Sequence, residues 1–165
     1  MGRFDSSEAA TLRTVFEVNF FATVEMIREA IPFLRSGNNS LIVNVGSVLG
    51  HFAAPLKSEY CASKFALHGF NDALRAELSE DGIDVLHICP STTDSDFFDS
   101  VVEDNTGRDW KKRGAMSPEV VAQKTIRAME NRRREIVLSA GGKGMVWLDR
   151  LFPSVAGYFI RRFGQ

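Results

Sequence analysis

The stretch Leu41-Ile42-Val43-Asn44-Val45-Gly46-Ser47 is short, β-branched and apolar, the composition of a strand buried in a parallel sheet. It places Ser47 at the strand's C-terminal end. Beyond the loop from Val48 to Pro55, Ala62, Phe65, Ala66, Phe70, Ala73, Leu74 and Leu78 share one broad face, which predicts a helix over about 57–80 ended at Gly82. Ile83-Asp84-Val85-Leu86-His87-Ile88-Cys89 is the next strand, and Pro90 prevents simple extension of its hydrogen-bond ladder.

Upstream, Leu12, Val15, Phe16, Phe20, Val24, Ile27 and Ile31 recur at helical spacing, predicting a helix over about 7–34 stopped by Ser36-Gly37-Asn38-Asn39. Asp5 with Glu8 reads as a capping box at its start, with Ser6 and Ser7 as rival caps. Downstream, residues 97–116 lack sustained periodicity and read as a lid-like excursion. Ser117-Pro118-Glu119 opens a helix to about Asn131, and Ile136-Val137-Leu138 is a third strand. Alternation of this kind predicts an α/β fold, an open parallel sheet with helices on its faces.

Composition narrows the function classes. With 20 basic and 21 acidic residues the formal charge is -1, so no global field attracts a polyanion and nucleic acid is not an expected partner. Cys61 and Cys89 form no CxxC pair and read as buried thiols in a reducing compartment, giving a cytoplasmic expectation. The start, Met1-Gly2-Arg3-Phe4-Asp5, has no apolar signal core, and no run reaches the roughly 18 apolar residues of a membrane span. The tail differs from the rest. Trp147, Leu148, Leu151, Phe152, Tyr158, Phe159 and Phe163 accompany Arg150, Arg161 and Arg162, so residues 141–165 are expected to pack on residues 1–140, on a partner subunit or peripherally on a membrane surface.

Four residues carry the chemistry: Asn19, Ser47, Tyr60 and Lys64. Tyr60-Cys61-Ala62-Ser63-Lys64 sets a phenol and an ammonium four residues apart, on one helical face. A phenol is a poor base at neutral pH, but an adjacent cation stabilises its phenolate and brings proton exchange within reach. Tyr60 can then donate a proton to a carbonyl oxygen or accept one from an alcohol. Ser47, at a strand end, can bond the same oxygen as charge develops there. Asn19 sits mid-helix, where its side chain competes with backbone hydrogen bonds, and its proposed task is to hold a water and backbone geometry linking Lys64 to solvent. Taken singly, each has an ordinary reading: a chance i,i+4 pair, a strand cap and a helix-surface amide.

Taken in order, Val18-Asn19, the strand Ile42 to Val45 ending in Gly46-Ser47, Tyr60-x-x-x-Lys64 and the strand ending Cys89-Pro90 resemble the short-chain dehydrogenase/reductase family over roughly residues 4–140. The resemblance implies a Rossmann-like doubly wound parallel sheet in three α/β/α layers. It also implies hydride transfer between NAD or NADP and a carbonyl or alcohol. By that resemblance Tyr60 is the acid/base, Lys64 lowers its pKa and bonds the nicotinamide ribose, Ser47 binds the reacting oxygen and Asn19 supports a relay. Pro90, Ser91, Thr92, Thr93 and Ser95 resemble the segment beside the nicotinamide, with Ser91 replacing the usual glycine. The long helix bearing Tyr60 resembles the family's dimer contact, implying a homo-oligomer.

No Thr-Gly-x-x-x-Gly-x-Gly loop and no Asn-Asn-Ala-Gly segment stands before the first helix. The expectation drawn from this is a partial Rossmann-like sheet, the C-terminal part of the family domain without its N-terminal cofactor segment. The alternative to an oxidoreductase is then a truncated, catalytically silent fragment or interaction module unable to bind the dinucleotide alone. An epimerase or dehydratase shares the Tyr-x-x-x-Lys pair but fits the short C-terminal region less well. His51, His68 and His87 lack metal-ligand spacing, so no metal is expected; His51 follows Ser47 in a loop that could border substrate. Phe52, Leu56, Phe97, Phe98 and Trp110 suggest an apolar substrate surface.

Overall fold

A computed structural model describes residues 1–98, 101, 102, 104–106 and 114–163; Trp110 lies outside them. Helix α1 (Ala9–Phe16) runs through a π-helical turn (Glu17–Phe21) into α2 (Ala22–Ser36). Then come β1 (Leu41–Val45), a one-turn 3-10 helix (Val48–Gly50), α3 (Ser58–Glu77), β2 (Asp84–Cys89), α4 (Pro118–Glu130), β3 (Glu135–Val137), α5 (Ala140–Leu151) and α6 (Pro153–Phe163).

Among the described residues the sheet has three strands in the order β1-β2-β3. Both pairings are parallel, with Leu41 opposite Asp84 and Val45 opposite Ile88 in the first, His87 opposite Glu135 and Cys89 opposite Val137 in the second. Alternation along β2 sorts its side chains onto two faces. Val85 packs with Ile27, Ile42, Leu74, Leu78 and Ile83 under α2 and α3, while Leu86 and Ile88 pack with Ala128 and Leu138 under α4. Helices therefore cover both faces, which corrects the expectation of a partial sheet: the chain forms a three-layer α/β/α, Rossmann-like arrangement. The helices before β1 supply Ile27, Ile31 and Leu34 to that core, so they form a layer of the fold. Burying a Leu or Ile at such positions contributes about 1.5–3 kcal/mol each.

Element boundaries follow local chemistry. Ser117 accepts from the Val120 amide at 3.4 Å with Pro118 in the first turn, as its sequence predicts. The expected capping box does not form. Asp5 is held by Arg3 at 2.7 Å, and Glu8 occupies the N-cap without a side-chain bond. The predicted long N-terminal helix is present but carries the π turn that contains Asn19.

The tail folds as two helices. Val146 and Ala156 are buried, whereas Trp147, Leu151, Phe152 and Tyr158 remain exposed. No helix among the described residues is long and apolar enough to cross a membrane.

Candidate active site

Ser47 follows β1 with extended backbone and caps the 3-10 turn, its hydroxyl oxygen accepting the Leu49 amide at 3.1 Å. A buried strand must end where its ladder ends, and here the next bonds go elsewhere: Val48 N–H donates to the Pro90 carbonyl at 2.9 Å, tying the Ser47 turn to the loop after β2. Gly46 is required by close approach, because a Cβ there would stand 2.0 Å from His87 Nε2. Gly50 is crowded likewise by the Lys64 carbonyl, at 2.8 Å from an added Cβ.

Tyr60 lies in the first turn of α3, with the Ser47 side chain beside its phenol. Burial pushes the Tyr60 pKa up, and the neighbouring Ser47 hydroxyl opposes that rise. Lys64 lies on the same face with Nζ 5.7 Å from the Tyr60 ring centroid, but it donates to the Val45 carbonyl at 3.3 Å. Burial lowers its pKa. In this conformation the ammonium is committed to the strand end rather than to the phenol oxygen, and the phenol is accordingly not acidified.

Asn19 reaches the site through a residue that the sequence pattern did not single out. Its Nδ2 donates to the fully buried Ser63 hydroxyl at 3.1 Å, and Ser63 donates to the Tyr60 carbonyl at 2.8 Å. Ser63 lies inside the Tyr60-to-Lys64 motif, so its position was visible although its partner was not.

The loop after β2 is held against the start of the next helical segment. Met116 N–H donates to the Thr92 carbonyl at 3.0 Å, Asp94 N–H donates to the Met116 carbonyl at 2.9 Å, and Thr93 Oγ1 donates to the Ser91 carbonyl at 3.3 Å. Ser95 Oγ accepts the Phe97 amide at 3.4 Å. Ser91 is not among the described residues with positive φ, so a serine at this place carries no left-handed strain. Phe97 stacks edge-on to Tyr60 with centroids 5.7 Å apart, placing an apolar ring beside the phenol. Phe52 packs instead against Val48, Cys89, Val137 and Val146, and Leu56 adopts φ 65° in the loop before α3.

His51 does not face this group. Its side chain is 1% exposed and lies with His68, His87 and Glu135 behind the Ser47 turn. Burial drives its pKa down to about 4.

A serine hydroxyl and a phenol brought near each other at a strand end, with an ammonium on the same helix as the phenol, make a constellation able to bind one oxygen and exchange a proton with it. Residues 1–106 match the family described as short chain dehydrogenase. The chain belongs to that family.

The short-chain dehydrogenase match runs from residue 1 and the relatives match across most of the chain, so the comparisons give no support to the expected loss of an N-terminal cofactor segment. Dehydrogenase/reductase SDR family member 7B of Xenopus tropicalis is 33% identical over 153 residues, covering 90% of this chain and 50% of the relative. Dehydrogenase/reductase SDR family member 7 of Homo sapiens is 29% identical over 159 residues, covering 93% and 47% respectively. The chain thus spans about half the length of these curated relatives. A short chain dehydrogenase from Burkholderia cenocepacia, solved in complex with NADP, superposes with a TM-score of 0.82 at 22% identity, over 97% of this dehydrogenase chain and 63% of that one. One from Burkholderia phymatum, in complex with NAD, gives 0.81 at 23% identity, over 93% and 62%. These likenesses show the fold.

Proposed function

We propose that this chain acts in an oxidoreductase that moves hydride between a nicotinamide dinucleotide and a small carbonyl or alcohol, with Tyr60 as the acid/base. The observation that carries this reading is the convergence of the Ser47 side chain and the Lys64 ammonium on Tyr60, with Nζ 5.7 Å from the Tyr60 ring centroid and Ser47 close enough to influence the phenol's ionisation. Two neighbouring hydroxyls can both turn toward a third oxygen, that of the substrate.

In reduction, Ser47 donates to the carbonyl oxygen and stabilises negative charge developing there, while Tyr60 transfers its proton to that oxygen. In oxidation the proton moves the other way. Lys64 stabilises the phenolate, a role that requires its ammonium to leave the Val45 carbonyl for the hydroxyl side of Tyr60. Asn19 positions α3 through Ser63 rather than touching the reacting atoms. Phe97 supplies an apolar wall beside Tyr60, which favours substrates with an apolar group next to the reacting carbon.

The donor set fits the nicotinamide and ribose end of NAD or NADP: the Lys64 ammonium for ribose hydroxyls, and Pro90, Ser91, Thr92, Thr93 and Ser95 around the carboxamide. The dinucleotide supplies or takes up the hydride. The two buried free thiols, Cys61 and Cys89, fit a reducing, cytoplasmic setting.

The test is calorimetric titration of the purified chain with NADH and NADPH, followed by reduction of a panel of aryl and alkyl ketones. Saturable cofactor binding is expected, with activity that falls at least about 10²-fold in Tyr60→Phe while binding persists. Absence of binding by both cofactors overturns the proposal.

A further inference from the structure

The chain contains three histidines, at 51, 68 and 87, and the fold brings all three to one carboxylate. Glu135 Oε2 lies 3.4 Å from His68 Nε2, 3.6 Å from His51 Nε2 and 3.7 Å from His87 Nδ1. The rings of His51 and His68 are 4.2 Å apart between centroids, and those of His68 and His87 are 5.2 Å apart. Four elements contribute: the turn after Ser47, α3, β2 and β3. The parallel register sets His87 directly opposite Glu135.

These separations do not describe hydrogen bonding. A charge-assisted N–H···O bond spans about 2.7–2.9 Å, and each contact here is longer. Donors around a zinc-like ion at about 2.0–2.2 Å in tetrahedral geometry stand about 3.3–3.5 Å from one another. His68, His87 and Glu135 present donor atoms that all lie within 4.8 Å of one another, whereas His51 groups with Cys89 and Glu135 instead. His51 Nε2 is buried without a hydrogen-bond partner and is directed at the same carboxylate oxygen.

The outer contacts mostly orient the rings for this task. His68 Nδ1 lies 3.1 Å from the Gly50 carbonyl, which can only accept, so the proton belongs on Nδ1 and Nε2 presents its lone pair toward Glu135. Gly46 leaves the space that the His87 ring needs. Arg150 acts against His51: its Nη2 donates toward His51 Nδ1 at 3.4 Å, favouring a proton on Nε2. His51 therefore borders the site without belonging to its donor group. Asp72 Oδ2 is also 3.4 Å from His68 Nε2, but its other oxygen is held by Arg75 at 2.7 Å.

We propose that His68, His87 and Glu135 form a binding site for a divalent transition-metal ion of the zinc class, with water completing the coordination. Two imidazole nitrogens and one carboxylate oxygen are a donor set suited to such ions and poor for calcium or magnesium. The ion would clamp the Tyr60 helix and strands β2 and β3 together. It would touch no reacting atom, and the proposal stands whether or not the oxidoreductase reading does.

The test uses untagged chain stripped with chelator and titrated with Zn²⁺ and, separately, Co²⁺. One equivalent should bind, Co²⁺ should give visible ligand-field bands of tetrahedral intensity, and excess Zn²⁺ should raise the melting temperature. Glu135→Gln and His68→Asn, at positions accessible enough to fold without repacking, should each weaken binding at least tenfold while keeping the native circular dichroism spectrum. Failure of the wild-type chain to bind either ion saturably overturns the proposal. So does unchanged affinity in both variants.

Discussion

Asn19 and Ser63 are joined across two neighbouring helices of one layer, Nδ2 to Oγ at 3.1 Å, and the same Ser63 hydroxyl donates to the carbonyl of Tyr60. The π turn lets the N-terminal helix direct an amide sideways at α3 without breaking. Removing either partner leaves a polar group underbonded beside a fully buried serine. Asn19→Ala and Ser63→Ala should each cost about 1–2 kcal/mol in urea unfolding, and the double variant should cost less than their sum by at least about 0.5 kcal/mol. Strict additivity would show that the bond holds nothing in place.

The sheet was legible because three short apolar runs between helical periodicities leave few alternatives. Ser117-Pro118 and Gly82 marked ends through local chemistry, and the structure has helix and turn there. Two kinds of information were not local. Asp5 and Glu8 match a capping pattern, but the bidentate pairing of Arg3 with Asp5 competes successfully for that carboxylate. His51, His68, His87 and Glu135 have no motif spacing because strand register and a turn, rather than sequence proximity, bring them together. Tyr60, Lys64 and Ser47 were readable as a set, whereas the engagement of Lys64 by the Val45 carbonyl depends on where β1 ends.

Burial raises the Tyr60 pKa and the neighbouring Ser47 hydroxyl restrains the rise, which gives a titration signature. The chain has two tyrosines, so Tyr158→Phe isolates Tyr60 for ultraviolet titration. Its phenol should ionise above the ordinary value near 10, and Ser47→Ala should move it higher still. A folded-state value above the unfolded one means that this group's stabilisation is complete below about pH 10 and is lost as pH rises through the folded-state pKa. A Tyr60 that titrates at or below the free value without cofactor would contradict this account.

Arg75 works at the joint between α3 and two strands. Its guanidinium donates to the Val85 carbonyl at 3.0 Å, to the Arg134 carbonyl at 3.0 Å and to Asp72 at 2.7 Å. Hydrogen bonds from a charged donor to backbone carbonyls contribute more than neutral ones, so Arg75→Ala should destabilise by about 2–3 kcal/mol. Asp72→Ala, which removes only the exposed partner, should cost under about 1 kcal/mol. Equal losses in the two variants would place the worth of Arg75 in the ion pair instead.

Two glycines with opposite surroundings separate close approach from helix propensity. At Gly46 an added Cβ would stand 2.0 Å from His87 Nε2, and the His87 side chain is buried, so the ring cannot simply swing into solvent. Gly46→Ala must therefore shift β1 against β2 or displace His87 from Glu135, and we expect a loss of about 2–4 kcal/mol in chemical denaturation. At Gly69, within α3, nothing lies within 4 Å of the added atom, and the position is exposed. There alanine only removes backbone freedom from the unfolded chain, so Gly69→Ala should stabilise by about 0.5–1 kcal/mol. If Gly46→Ala proved neutral, the packing of His87 against the end of β1 would be wrong, and with it the placement of Ser47 one residue further on.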